Sequence, residues 1–451
     1  MSLSRSVRTE TVSGLGSILC PISLAIDPRF LRLVLGFDLL KFRIHRLMTF
    51  DIVLFGATGY TGRLVAEVLQ SVNSAKQPLR WAMAGRSLEK LKSIRAAIGA
   101  PESVPLLVAE ATDSAAIAAL VRQTRLVITT VGPYQRYGDV LVDACAREGT
   151  DYVDLCGEST WMATKIRQLG ETAQRSGARI VFSCGFDSVP FDLGVVFLQT
   201  EAIRRFGRPL EAVRGVMRVM KGGFSGGTIA SAMATIAAGE RDPRLAAVMQ
   251  DPFALTPGFA GPIQPEGESA QFLDSIGVWS GPFVMAPINT KNVHRTNHLL
   301  NHLWGRDFTY EERMQAGMGE PGRRRAVKMA RNARWQNRAL GWPLVRWSLQ
   351  RWVLPKPGEG PSAQQRESGH FEVLFEGRAP SLRAVVTGDR DPGYGSTARM
   401  LAQSALCLLN EADRSVTLGG VWTPGAAMGM LLVQRLREHA GLTFEIESTA
   451  V

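Results

Sequence analysis

Short apolar runs alternate with amphipathic stretches from Phe50 onward. Residues 51–55 (DIVLF) form a short, mostly apolar run suited to a parallel strand buried on both faces. A glycine turn at 56–62 follows, and Leu64, Val65, Val68 and Leu69 then recur at helical spacing over 61–71. The alternation continues with a strand at 80–84, a helix from the cap Ser87 to about Ile98, a strand at 104–108 and a helix capped by Asp113. Strands at 126–131, 152–153 and 179–182 flank helices at 138–147 and 160–175. This order predicts an α/β fold that opens with a Rossmann-type doubly wound parallel sheet over 48–190.

The pattern changes after residue 190, and 191–420 reads as a second, α+β domain. It holds a helix at 191–206, a strand at 213–220, a glycine-rich turn at 221–228 and a small-residue helix to about Gly239. Residues 250–282 are rich in Pro and Gly and read as loop. Two antiparallel strands are expected within 369–388, and helices at 395–409 and 425–437.

Composition narrows the class. At roughly 150 residues per domain, 451 residues suggest two or three domains. Hydrophobic residues at 45% and charged residues at 21% exclude wholesale disorder. Five cysteines without a C-x-x-C pair argue against a disulfide framework or a zinc knuckle, and for a reducing, cytoplasmic setting. No run of eighteen apolar residues occurs, so no transmembrane helix is expected. Residues 1–47 read as an N-terminal extension, either disordered or preceding a true start at Met48; a weak signal-peptide likeness at 11–26 is the alternative.

The net charge is +11, and 321–358 holds ten Lys and Arg with no acidic residue and four interleaved tryptophans. Such a stretch suits peripheral contact with a lipid or membrane surface, an acidic carrier protein, or a solvated lid whose tryptophans pack inward. No nucleic-acid module accompanies it.

The chemistry starts at Gly56-Ala57-Thr58-Gly59-Tyr60-Thr61-Gly62, a G-x-x-G-x-x-G between the first strand and the first helix. The glycines permit the sharp turn, close approach of the backbone to a pyrophosphate and tight helix packing, while the helix N-terminus attracts phosphate. Strand two ends in Gly85-Arg86-Ser87, where an NAD site would carry an acidic residue. A guanidinium there matches a 2′-phosphate, so NADP(H) is expected. The strand-four loop, Val131-Gly132-Pro133-Tyr134, should lie beside the nicotinamide, with Tyr134 projecting a hydroxyl. Cys156 and Glu158 follow strand five and should face the same crevice rim, and Asp187 lies in the loop after strand six. Tyr134 and Asp187 are the candidate catalytic residues, with backbone N–H groups of 185–188 as alternative donors and Tyr137 as a weaker one. His294, His298 and His302 recur every four residues but lack acidic partners, so they read as a surface helix and no metal is expected.

These motifs carry a resemblance. GATGYTG, AGR, TTVGPY, YGDVLVDACAREGTDYVDLCGE and CGFDSVPFDLG resemble the saccharopine dehydrogenase-like oxidoreductases. SGGT (225–228), GDRDPGYGSTARMLAQSAL (388–406) and GGVWTPGAAMG (419–429) resemble one branch, the trans-acting enoyl reductases of polyketide-derived lipid synthesis and their eukaryotic relatives. The resemblance covers about Met48 to the C-terminus. It implies a nicotinamide-binding first domain, an α+β substrate domain, and a C-terminal helix and strand (421–451) packing back on the first. It further implies NADPH-dependent reduction of an α,β-unsaturated acyl thioester, small or carrier-bound. The alternatives are an imino or amino acid substrate, as the family name suggests, and a non-catalytic NADP-binding protein at a lipid surface.

Overall fold

The structure, a computed structural model, describes residues 49–73, 78–222, 226–340, 342 and 360–447. The extension at 1–47, the start of the 225–228 glycine motif and residues 343–358 of the basic stretch lie outside the described residues.

The chain opens with β1 (Phe50–Phe55), α1 (Tyr60–Val72), β2 (Trp81–Gly85), α2 (Leu88–Ala97), β3 (Leu106–Val108), α3 (Ser114–Val121) and β4 (Thr124–Thr129). It continues through α4 (Tyr134–Tyr137), α5 (Asp139–Glu148), β5 (Asp151–Val153), α6 (Ser159–Ser176), β6 (Arg179–Val181) and α7 (Val189–Phe206). Then come β7 (Ala212–Lys221), α8 (Gly226–Arg241), α9 (Pro243–Gln250), β8 (Gln271–Leu273), β9 (Val278–Pro282), α10 (Ala286–Leu299), β10 (Thr309–Gly317) and α11 (Gly319–Leu340). The remainder is α12 (Ala363–Glu367), β11 (His370–Arg378), β12 (Leu382–Gly388), α13 (Thr397–Asn410), β13 (Gly420–Trp422), α14 (Pro424–His439) and β14 (Leu442–Ile446).

Among the described residues these strands form two seven-stranded sheets. The first has the order β13-β6-β5-β4-β1-β2-β3, and every pairing in it is parallel. β1 is buried along its whole length, as an apolar strand flanked by helices on both faces must be. Side-chain caps start the helices where the sequence predicts: Ser87 accepts from the Lys90 amide, and Asp113 from the Ala115 and Ala116 amides. Successive strands are added outward from β1 on one side through β2 and β3 and on the other from β4, and this switch in strand order between β1 and β4 opens a crevice at the carboxyl ends of the strands.

The second sheet, β14-β12-β11-β7-β10-β9-β8, is mixed, with only β7 and β10 parallel. α7 leaves the first sheet and lies across the second so closely that a Cβ at Gly194 would fall 2.2 Å from the Phe375 ring. Phe186, Phe191 and Phe197 on and before this helix meet Phe371, Phe283 and Phe444, so one apolar core runs through both sheets.

The C-terminal quarter is shared between the two sheets, which corrects the expected grouping. α13, expected within the second domain, packs on α1, β4 and β5. A buried pair fixes it there: Arg179 of β6 binds Asp151 of β5 at 2.5 Å and donates to the Leu408 and Ala412 carbonyls at the end of α13. β13 extends the parallel sheet, whereas the terminal strand β14 pairs with β12 in the second sheet and not with the first domain. The expected loop at 250–282 contains the edge hairpin β8–β9, whose three-residue first strand and terminal Gly281-Pro282 hide it from a pattern search.

Candidate dinucleotide and substrate site

The glycine turn sits at the carboxyl end of β1 and is locked to its neighbours. The Gly56 and Ala57 amides donate to the Ala84 carbonyl of β2, and the Gly59 amide donates to Gly56 O. Gly56 has φ +92°, and a Cβ there would lie 2.7 Å from Val131 Cγ2. A Cβ at Gly62 would fall 2.1 Å from Gly56 O, so α1 packs on its own turn in a way only glycine permits. Gly59 is exposed, and the first turn of α1 carries neither a side-chain cap nor an acidic residue. Its amides and the positive end of its dipole therefore face the crevice, and this cradle fits a pyrophosphate. Thr58 leans on the end of β2, 3.5 Å from where a Gly85 Cβ would stand, and Thr61 is half-buried in the first turn.

Arg86 follows β2, exposed, with no ion-pair partner among the described residues. Ser87 caps α2 beside it, and Glu89, the nearest acid in sequence, pairs with Lys92 at 3.0 Å. The end of β2 thus offers a free guanidinium and a hydroxyl, a donor set suited to a 2′-phosphate.

The Tyr60 side chain points away from the phosphate cradle. Its hydroxyl donates to the Pro361 carbonyl and accepts from Arg366 of α12, and its ring packs edge-on against Tyr394, centroids 4.7 Å apart. The turn is therefore strapped to segments entering and leaving the β11–β12 hairpin, a tie with no local signal in the sequence.

The strand-four loop carries Val131, Gly132 and Pro133 partly or fully exposed along the crevice. Tyr134 departs from expectation. It opens α4 directly after Pro133, which turns the ring inward against Trp161, centroids 5.6 Å apart. Its hydroxyl donates toward Thr129 O and accepts the Leu155 amide at 3.2 Å, and burial drives its pKa well above the ordinary tyrosine value. Tyr134 is a packed aromatic that does not reach the crevice. Glu158 and Cys156, expected on the rim, are buried as well. Glu158 accepts the Tyr134 and Gln135 amides at 2.7 and 2.9 Å and the Ser231 hydroxyl at 2.7 Å, pinning α4 to α8.

Asp187 stands where the sequence places it, after β6. Between Ala178 and Gln199 it is the one residue that is not buried. The flanking amides are committed: Phe186 N–H donates to Thr397 Oγ1 and Ser188 N–H to Gly185 O, so those two alternative donors drop out. Tyr137 is half-buried at the end of α4, with Arg136 5.6 Å from its ring centre.

Behind this loop lies a polar layer that the sequence did not announce. Ser188 accepts from Asn292 at 2.9 Å and contacts Asn289, whose amide donates to Glu312 at 2.9 Å; Tyr310 donates to the other Glu312 oxygen at 2.7 Å. Burial raises the Glu312 carboxyl to about 8. Asp192, bonded by Thr296 and the Gly425 amide, is raised by burial to about 7, as is Asp154 beneath the strand-five loop.

α10 supplies much of that layer and is an interior helix, not the expected surface one. Its long polar side chains satisfy main-chain carbonyls: Lys291 donates to Met249 of α9 and to Pro287 in its own first turn, and Arg295 to Leu255 and to Val421 of β13. His294 is buried against Phe253, which pushes its pKa down to about 3. His302 lies beyond the helix at φ +58°, so the four-residue spacing does not continue as one face.

The fold and the cradle define a dinucleotide-dependent α/β oxidoreductase. Residues 52–181 match the saccharopine dehydrogenase NADP binding domain, and the chain binds NADP(H). Over 406 residues it is 38% identical to the trans-acting enoyl reductase of Mycobacterium bovis (strain BCG / Pasteur 1173P2), a match covering 86% of this chain and 95% of that one. The trans-acting enoyl reductase of Mycobacterium leprae is 37% identical over 407 residues, with the same coverage. The chain belongs to this family of saccharopine dehydrogenase-like oxidoreductases. Among solved structures, saccharopine dehydrogenase (L-Glu forming) from Saccharomyces cerevisiae aligns with 89% of this chain and 100% of its own at 11% identity and a TM-score of 0.49.

Proposed function

We propose that this protein is an NADPH-dependent enoyl reductase acting on an α,β-unsaturated acyl thioester in lipid or polyketide-derived lipid metabolism. The observation that carries the reading is the 38% identity to trans-acting enoyl reductases across 95% of the relative's length. The site supports it. The 56–62 turn and the start of α1 hold the pyrophosphate, Arg86 and Ser87 hold the 2′-phosphate, and Val131, Gly132 and Pro133 form the backbone edge beside the nicotinamide. NADPH, when bound, supplies the hydride for the substrate β-carbon. As charge gathers on the thioester carbonyl, a donor must face it and a proton must reach the α-carbon. Asp187 is the candidate for orienting the substrate or passing that proton. Glu158 and Tyr134 act at a remove, fixing the loop that borders the nicotinamide.

The imino-acid reading needs free arginines for a substrate carboxylate. Three arginines of the second half are engaged inside the protein: Arg214 with Glu311, Arg313 with Glu311 and Ser280, and Arg295 with backbone carbonyls. Among the described residues no helix is long and apolar enough to cross a membrane. Four buried thiols, Cys145, Cys156, Cys184 and Cys407, suit a reducing, cytoplasmic setting.

The test is NADPH consumption with 2-enoyl thioesters and, in parallel, with imino acids, the products being identified by mass. Saturated thioester from the first set supports the reading, and turnover confined to imino acids overturns it. Asp187→Asn is expected to lower kcat about 100-fold with NADPH affinity unchanged.

A further inference from the structure

The charge of this chain is concentrated. The net charge is +11, and 321–358 contributes ten cations and no acid, which leaves 11 − 10 = +1 for everything else. The described part of that stretch is α11, and its seating explains how the charge is displayed.

α11 rests on the second sheet by a narrow ridge of small residues. Gly322, Ala326 and Ala330 are buried and Met329 is half-buried. The helix lies so close to β9 that a Cβ at Gly281 would stand 3.0 Å from Met329 Cβ. At 100° per residue, the positions diametrically opposite this ridge are Arg324, Lys328, Arg331 and Trp335. All four are exposed, Trp335 at 68%. Beyond the helix, Trp342 is 70% exposed, and Val327 and Met318 add exposed apolar surface beside the stripe. Glu320 is shared by Arg323 and Arg324, while Lys328, Arg331 and Arg334 have no ion-pair partner among the described residues.

The cations on this outward face are well solvated, whereas the indoles exposed beside them are costly in water. Cations by themselves would suit any polyanion. Indole rings at the same level select an interface with a wet, charged side and an apolar side, which is the headgroup region of a bilayer. We infer that α11 docks this protein on an anionic lipid surface, its cations against phosphate headgroups and Trp335 and Trp342 at the headgroup–acyl boundary. The inference is independent of the reaction catalysed and would stand if the enoyl reading failed.

The experiment is co-sedimentation of the full chain with phosphatidylcholine vesicles, with and without phosphatidylglycerol. Binding is expected only to the anionic vesicles and is released by salt. Each cation near such a surface contributes about fivefold in affinity, so Lys328→Gln with Arg331→Gln should weaken binding about thirtyfold. Trp335→Ser should weaken it further on the same vesicles. NADPH affinity and melting temperature should not change in any of these variants. Equal binding to both vesicle types overturns the inference, and so does binding that survives the double substitution, which assigns the lipid contact elsewhere. If the chain ignores vesicles but binds an acidic carrier domain through the same two residues, the face is a protein dock and the inference is wrong.

Discussion

Arg86 carries the cofactor preference on a single side chain. It stands exposed where β2 ends, the neighbouring acid is held by Lys92, and no described carboxylate competes for its guanidinium. Arg86→Ala should therefore weaken NADPH binding at least tenfold, about 1.4 kcal/mol, and leave NADH binding unchanged. Titration of both nucleotides checks this, and an equal loss for the two would reassign Arg86 to general electrostatics. Glu158 shows the opposite relation of residue to role. Its position after β5 marks it as a rim acid, yet it is buried and spends both oxygens on backbone amides. Sequence position places a side chain on a loop; whether it faces ligand or core depends on partners as remote as Ser231.

The turn from β1 into α1 is the element on which cofactor binding depends. Gly62→Ala would drive a methyl to 2.1 Å from Gly56 O, a backbone atom that cannot step aside. The expected results are a loss of about 3 kcal/mol in stability and a loss of NADPH binding, measured by thermal melts and titration. Gly170→Ala in α6, where nothing lies within 4 Å of the new methyl, is the control and should be neutral or slightly stabilising. The elements of the parallel sheet from β1 to β6 were legible because period, caps and glycine turns agree there. Three others were not. α10 reads as a surface helix because its Lys, Arg and His positions are polar; the remote main-chain carbonyls of Met249, Leu255 and Val421 hold Lys291 and Arg295 inside, and Phe253 covers His294. β10 (TYEERMQAG) lacks apolar alternation because Glu311, Glu312 and Arg313 are buried in pairs and networks. β13 is three residues long and joins β6 from more than two hundred residues away.

The two sheets share one core, and between them lie carboxyls whose protonated form burial favours. Glu312 titrates at about 8 in the folded protein against an ordinary value of 4.5. The folded state thus holds this proton more tightly than the unfolded chain. The stabilisation is complete below pH 4.5 and is lost as pH rises through 8, by at most about 1.4 kcal/mol per pH unit. Glu312→Gln removes that dependence. The stability of the native protein relative to this variant should fall steadily over that range, and parallel melting curves would contradict the account. Asp154 and Asp192, which act with the same sign up to about 7, and His294, which opposes them down to about 3, are common to both proteins and cancel. For the molecule as a whole, the central claim is hydride delivery from NADPH to an enoyl carbon. The most direct measurement is turnover of a 2-enoyl thioester with NADPH deuterated at the nicotinamide C4, followed by NMR of the acyl product. The account predicts deuterium at the β-carbon of a saturated thioester. An unlabelled acyl chain, or label delivered only to the carbon of an imino acid, would contradict it.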